Sequence, residues 1–220
     1  MSNRLKTALA IGGLTTMLMT SQAQAGLDGN PFEGLYLGFN ANYSKVTADA
    51  TYEILDANTN SFGGISSSSN STGYGGVLYG GIGTNIWGPM YVGIEAGLGV
   101  NGGTSLVTDG TNTVGLKAGF SLDVTTRVGM AVSDRILLYA LGGYTSIKFS
   151  NKGFANGQSK GLGGYRYGAG FEVGIMEDIA LRVEYVRTAH AAVTWTQAGD
   201  SFRFDPSTQV FRIGVVLHMD

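Results

Sequence analysis

The feature that most restricts what this chain can become is an alternation of period two running through residues 116–132. Every second residue from Leu116 is uncharged (Leu116, Ala118, Phe120, Leu122, Val124, Thr126, Val128, Met130, Val132), while the intervening row carries Lys117, Asp123 and Arg127. Successive side chains of a strand point to opposite faces, so the stretch reads as one long strand with an apolar side and a polar side. A helix is a poor alternative, because Gly119, Gly129, Val124, Thr125, Thr126 and Val128 all disfavour it.

The same alternation recurs along the chain. Leu35, Leu37, Phe39, Ala41 and Tyr43 alternate with Tyr36, Gly38, Asn40, Asn42 and Ser44. Tyr74, Leu78 and Ile82 share a face, and Val92, Ile94, Ala96, Leu98 and Val100 oppose Tyr91, Glu95 and Asn101. After residue 135, Leu137, Tyr139, Leu141, Thr145, Ile147 and Phe149 are expected on the apolar face, with Ala140, Gly142, Tyr144, Ser146 and Lys148 on the other. Tyr165, Tyr167, Ala169, Phe171 and Val173 oppose Arg166 and Glu172. Leu181, Val183 and Tyr185 oppose Arg182 and Glu184, and Phe211, Ile213, Val215, Leu217 and Met219 oppose Arg212, Gly214 and His218. This gives eight strands. Tight turns are expected at 86–89, 133–135 and 176–178, and Ser/Asn/Thr/Gly-rich loops at 46–72, 102–113, 151–161 and 188–207. Short and long connections alternate, so the short ones gather at one end of an antiparallel up-and-down barrel and the long ones at the other.

Composition narrows the chemistry. Charged residues are 14% of the chain, against a usual ~25%. There is no cysteine, which removes disulfides and thiolate metal sites, and the two histidines argue against a dedicated metal centre. Residues 1–25 have the layout of an export signal: Arg4 and Lys6, an apolar middle, then Ala23-Gln24-Ala25 as a small-residue cleavage box. A polar lead-in over 26–33 and a barrel over 34–220 follow. Without the signal, 12 of the 14 Lys+Arg remain against 16 Asp+Glu, a net charge of −4 that argues against nucleic-acid binding. No later segment has the ~20 apolar residues of a membrane-spanning helix.

Alternation alone does not separate a membrane barrel from a soluble ligand carrier. The polar rows, however, are mostly Gly, Ser, Ala and Thr, too bare of charge for a water-facing surface and well suited to a narrow interior. Aromatics are expected in two girdles, with Trp87, Tyr91 and Tyr139 near the short turns and Tyr43, Tyr74, Phe149, Tyr165, Tyr167 and Phe211 near the long loops. On these grounds the chain from Glu33 onward resembles the eight-stranded outer-membrane β-barrel family, which includes the outer membrane protein A barrel and the opacity-type porin family. The last strand, with Arg212, Gly214, Leu217 and Met219, is similar to that family's assembly signal, although the family usually ends on an aromatic and this chain ends Met219-Asp220. The resemblance implies a Gram-negative outer membrane, periplasmic termini, extracellular long loops, outer-membrane lipid as the surrounding medium and the barrel assembly machinery as a partner.

The inward rows carry the candidate site. Glu95, Arg127, Glu172, Arg182, Glu184 and Arg212 fall at similar heights, and strand order sets Glu95 beside Arg127, Glu172 beside Arg182, and Glu184 beside Arg212. Buried charges must pair, so a cross-strand ionic belt is expected, with Lys117, Asp123, Lys148 and Arg166 higher in the lumen. Such a belt either fixes register or forms a constriction for ions. Gly97-Leu-Gly99-Val-Asn-Gly102 matches the dinucleotide fingerprint only in its letters, because no helix follows. His190 is followed by Ala191 and Ala192, with no serine placed to act with it. No catalytic residue, cofactor or metal is expected. The function read here is structural and surface-directed: membrane integrity and loop presentation, with a narrow porin-like pore as one version. The competing readings are an adhesin or surface antigen acting on a host ligand through loops 46–72 and 188–207, and, less favoured, a lipid-modifying enzyme.

Overall fold

A computed structural model describes residues 32–56, 61–102, 104–108, 113–152, 159–197 and 200–219, with side chains described outside 48–69, 104–118, 149–160 and 193–204. The expected export signal (1–25) and most of the expected lead-in (26–33) lie outside the described residues. Ten strands form one sheet: β1 (Gly34–Asp56), β2 (Ser61–Trp87), β3 (Met90–Asn101), β4 (Thr104–Thr108), β5 (Thr113–Ser133), β6 (Ile136–Lys152), β7 (Ser159–Gly174), β8 (Ile179–His190), β9 (Val193–Gln197) and β10 (Asp200–Met219). Eight of them run around the barrel in the order β1-β2-β3-β5-β6-β7-β8-β10, and β10 pairs back onto β1 to close it. That closing ladder is continuous from Leu35↔Met219 to Glu53↔Ser201. The short β4 and β9 each pair with one neighbour, β5 and β10 respectively.

The expected long loops are largely strand. β1 and β2 stay in register from Gly34↔Gly83 to Asp56↔Ser61, through the whole of the expected 46–72 loop. Within the 188–207 segment, β9 and the start of β10 form a hairpin that pairs Trp195 with Phe202. Ser/Thr/Asn/Gly composition reads as loop. In a closing hairpin, however, the ladder hydrogen bonds of the growing sheet decide, and strand propensity yields to context. The short turns fall where the spacing put them, with Gly88 at φ 57° supplying the left-handed residue of the first.

Outward rows match the expected apolar faces in seven of the eight barrel strands; examples are Phe39 at 55% exposure, Leu78 at 59%, Ile94 at 53%, Val124 at 55% and Ile213 at 54%. The exception is β6. Leu137, Tyr139, Leu141, Thr145 and Ile147 point inward and are buried, while Leu138, Tyr144 and Lys148 face out. Both rows of β6 are neutral apart from one terminal lysine, and the bulkier row is the inward one, so polarity could not choose between them. Of this inward set, Leu137, Tyr139 and Leu141 pack with Phe32, Tyr91 and Val186 in an apolar cluster inside the barrel. Phe32, in the expected lead-in, thus tucks into the lumen mouth with its ring edge-on to His218 at 5.9 Å, and Glu33 accepts a hydrogen bond from the Asn85 backbone N–H at 2.8 Å.

The aromatic girdle is one-sided. Tyr43, Tyr74, Phe120, Tyr144, Tyr165, Tyr167, Tyr185 and Phe211 are exposed toward the long-hairpin end, and Trp87 stands at 75% exposure by the short turns. Tyr91 and Tyr139, expected in the short-turn girdle, are buried in the lumen instead. The side chain of Phe149 lies outside the described residues.

Gly214 shows why β10 needs a residue without a side chain: a Cβ there would meet Asn40 Oδ1 and the Phe39 carbonyl oxygen across the closing seam. Gly214→Val is expected to destabilise the barrel by about 1–3 kcal/mol through overpacking, read as a lowered urea midpoint for the protein folded into lipid vesicles.

Candidate functional site

The inward rows of the barrel meet in the middle of the lumen. Arg127, Glu172 and Arg182 have no exposed surface, Glu184 has 2%, and Glu95 and Arg212 have under a tenth. The three pairs expected from strand order are all in contact: Glu95 Oε2 to Arg127 Nε at 3.8 Å, Glu172 Oε1 to Arg182 Nη2 at 2.7 Å, and Glu184 Oε2 to Arg212 Nη1 at 3.7 Å. Strand order alone did not disclose how far two of these arginines reach. Arg182, on β8, donates to Glu95 on β3 at 2.7 Å, and four steps around the eight-stranded ring place those strands on opposite walls. Arg127, on β5, pairs with Glu172 on β7. The belt is therefore a plug that crosses the lumen rather than a lining of it.

Above the plug, Asp123 Oδ2 forms an ion pair with Arg166 Nη1 at 2.6 Å and lies 3.5 Å from Arg212, which ties this upper tier to Glu184 below. Thr145 Oγ1 donates to Asp123 as well. Lys148, expected in this tier, points outward on the reversed β6 face, and the side chain of Lys117 lies outside the described residues. In the described lumen, four arginines face four carboxylates, so their formal charges cancel, and His218 Nε2 lies 3.5 Å from Glu172 Oε2.

Four tyrosines complete the plug. The Arg127 guanidinium sits 4.6 Å from the Tyr36 ring centroid, 5.0 Å from Tyr139 and 5.4 Å from Tyr91, while Arg182 sits 4.2 Å from Tyr79. Tyr91 Oη accepts from Arg127 at 2.9 Å, and Tyr139 donates to Glu184 at 2.8 Å. Cation–π contacts and carboxylates together replace the water these arginines lose. The alternation placed Tyr36 and Tyr91 on the inward row. Tyr139 was missed with the rest of β6, and Tyr79 was legible only as the residue between Leu78 and Gly80 on an otherwise small-residue row. Those small residues have a purpose: Tyr79 lies over Gly38, Tyr36 over Gly81 and Tyr91 over Gly83, where a Cβ would collide with the rings.

Among the described residues, two spaces flank the plug. A cavity of about 20 Å³ above the plug, between Ser44, Asp123, Arg166 and Arg212, has room for about one water. A vestibule of about 300 Å³ opens at the short-turn end and ends against Phe32 and His218. Among the described residues no group of His, Cys, Asp and Glu is arranged to hold a metal ion.

Removing Arg182 takes from Glu95 and Glu172 one of the two arginines they share and leaves Arg127 alone against two buried carboxylates. Arg182→Ala should therefore cost about 3–5 kcal/mol of unfolding free energy. Arg182→Met combined with Glu95→Gln should cost less than the sum of the two single changes, measured by a double-mutant cycle of urea unfolding in lipid vesicles.

Residues 11–218 match the family profile described as outer membrane protein beta-barrel domain. No curated protein matches the chain. Among solved structures it is similar to Ail, the attachment invasion locus protein of Yersinia pestis, at 12% identity over 81% of this chain and 98% of that one, with a TM-score of 0.38. It is similar to Neisserial surface protein A at 9% identity, over 82% of this chain and 97% of that one, with a TM-score of 0.45. The outer membrane protease OmpT from Escherichia coli aligns at 6% identity, over 84% and 96% of the two chains, with a TM-score of 0.46. A profile match across nearly the whole length, on a closed antiparallel barrel with an apolar outside and a charged inside, places this chain in the outer membrane protein β-barrel family.

Proposed function

We propose that the protein is a non-conducting outer-membrane barrel whose work is structural and surface-directed. It stabilises the membrane and carries its long hairpins on the outside, with both chain ends in the periplasm. The observation that carries this reading is the complete burial of Arg127, Glu172 and Arg182 at mid-lumen, where an ion would have to pass. A constriction that conducts needs weak, exchangeable sites. Here the carboxylates are already held by arginines on neighbouring and opposite strands. The same reading takes residues 1–25 as a cleaved export signal and β10, with Arg212, Gly214, Leu217 and Met219, as the segment offered to the assembly machinery. It assigns no catalysis. His190, the one candidate base, is buried on the inward row with Nε2 3.1 Å from Thr208 Oγ1, which favours a packing role.

Planar-bilayer recording tests this. The wild type should be silent. Arg127→Ala should also be silent, because Arg182 and the four tyrosine rings still fill the section. Discrete current steps from the wild type would overturn the proposal, and steps only after Arg127→Ala would make the plug a gate.

A second reading, contact with a host surface, draws support from the reach of the hairpins. From Val46 to Asp56 the β1 strand continues for roughly 35 Å, at ~3.4 Å per residue, past the aromatic girdle while still paired to β2. Deleting residues 50–67 and 193–204 should leave a barrel that still shifts on gels when boiled. Bacterial attachment to host cells should fall; unchanged attachment would remove this reading.

A further inference from the structure

We infer that the outward face of β1, β10 and β8 is a binding site for a phosphorylated, multiply acylated glycolipid of the outer leaflet, with Lys45 and Arg187 holding its phosphates. This rests on the reading above that the long hairpins lie outside the cell.

The site is a panel with a repeated layout. Lys45, Gln209 and Arg187 lie side by side on β1, β10 and β8, because Lys45 pairs with Gln209 and Gln209 with Arg187. Lys45 and Arg187 are exposed and Gln209 is half-buried, all on the outward row. One pleat nearer the short turns, the same three strands set Tyr43, Phe211 and Tyr185 abreast, each about half exposed. Below them come Ala41, Ile213 and Val183, then Phe39, Val215 and Leu181. A cationic rung thus stands on an aromatic shelf, and the shelf stands on an apolar wall three strands wide. That is the order phosphate, glycerol-or-sugar boundary and acyl chain would require of a partner lying along the barrel.

Two further observations separate this panel from lysines that merely snorkel to the interface. Tyr185 Oη donates to Gln209 Oε1 at 3.1 Å, which pins the glutamine between the two cations and leaves its amide N–H groups as further donors. The panel itself also carries no acid. Among the described residues the outward acids are Asp134, Glu177 and Asp178 at the short turns and Asp205 beyond the cationic rung, with none on the wall between. Neither Lys45 nor Arg187 takes part in any ion pair among the described residues. The two cations sit two strand spacings apart, ~10 Å, which suits a headgroup bearing more than one phosphate. The three-strand wall accepts several acyl chains side by side. Both features fit a multiply acylated glycolipid better than a two-chain phospholipid.

The test uses the folded full-length protein in nanodiscs, titrated with bisphosphorylated lipid A, with the same glycolipid stripped of phosphate, and with phosphatidylglycerol. The wild type should prefer the bisphosphorylated form. Lys45→Gln combined with Arg187→Gln should weaken that binding on the order of tenfold or more, while Lys148→Gln, an outward cation off the panel, should leave it unchanged. Equal binding by the double variant, or equal binding of phosphatidylglycerol by the wild type, would overturn the inference. Orientation is read separately. The chain has no cysteine, so Ala192→Cys can be labelled on intact cells with an impermeant thiol reagent. Labelling from outside with no phosphate preference removes only the lipid site. Labelling only after permeabilisation removes the orientation and the lipid site with it.

Discussion

In hydrocarbon there is no water to satisfy a free backbone N–H or C=O, so a sheet that crosses a membrane has to close on itself. The ladder between β1 and β10 does this here, and most other features follow from it. Closure by eight strands leaves a cylinder too narrow to hold bulk water at its waist, yet the alternation forces every second residue into it. The outside can be apolar only because each outward residue has an inward neighbour that must be accommodated. The interior chemistry is therefore a consequence of the wall.

The plug solves that packing problem with charge. Carboxylates from β3, β7 and β8 and arginines from β5, β8 and β10 neutralise one another across the section, and four tyrosine rings occupy what remains. Large side chains inside a small ring need small partners opposite them, which is one reason glycine reaches 36 of 220 residues in a chain with no collagen-like repeat. Pairs such as Tyr79 over Gly38 and Tyr36 over Gly81 show large and small residues arranged across adjacent strands. An interior of this kind is rigid, and its contacts join residues far apart in the chain, Glu95 and Arg182 among them.

Much of this was legible from residue order. Period-two patterning fixed the faces of β5, where Phe120 to Val132 alternate between outward apolar and inward polar residues, because its two rows differ sharply in polarity. It misplaced β6, where Leu137 and Leu138 offer no such contrast and the lone Lys148 misled. The three neighbouring ion pairs could be read from strand adjacency. The contact between Arg182 and Glu95 could not, since it depends on the diameter of the ring and the length of an arginine side chain rather than on which strands touch. Composition failed for the upper hairpins for a different reason: Ser66 to Asn70 has no intrinsic liking for strand, and only its pairing with residues 47–51 of β1 holds it there.

The unequal aromatic belts have a consequence for how the cylinder sits in its bilayer. Among the described residues eight outward rings gather at one rim, and at the other Trp87 stands among Ile86, Met90, Met130 and Met176. Rings of this kind hold a fixed depth at the headgroup boundary, whereas flexible thioethers and aliphatic chains tolerate a moving one. The barrel is thus moored at its hairpin rim and adjustable at its turn rim. Where the surrounding leaflets thin or thicken, the accommodation falls on the turn side, and the height of the hairpins above the membrane stays constant.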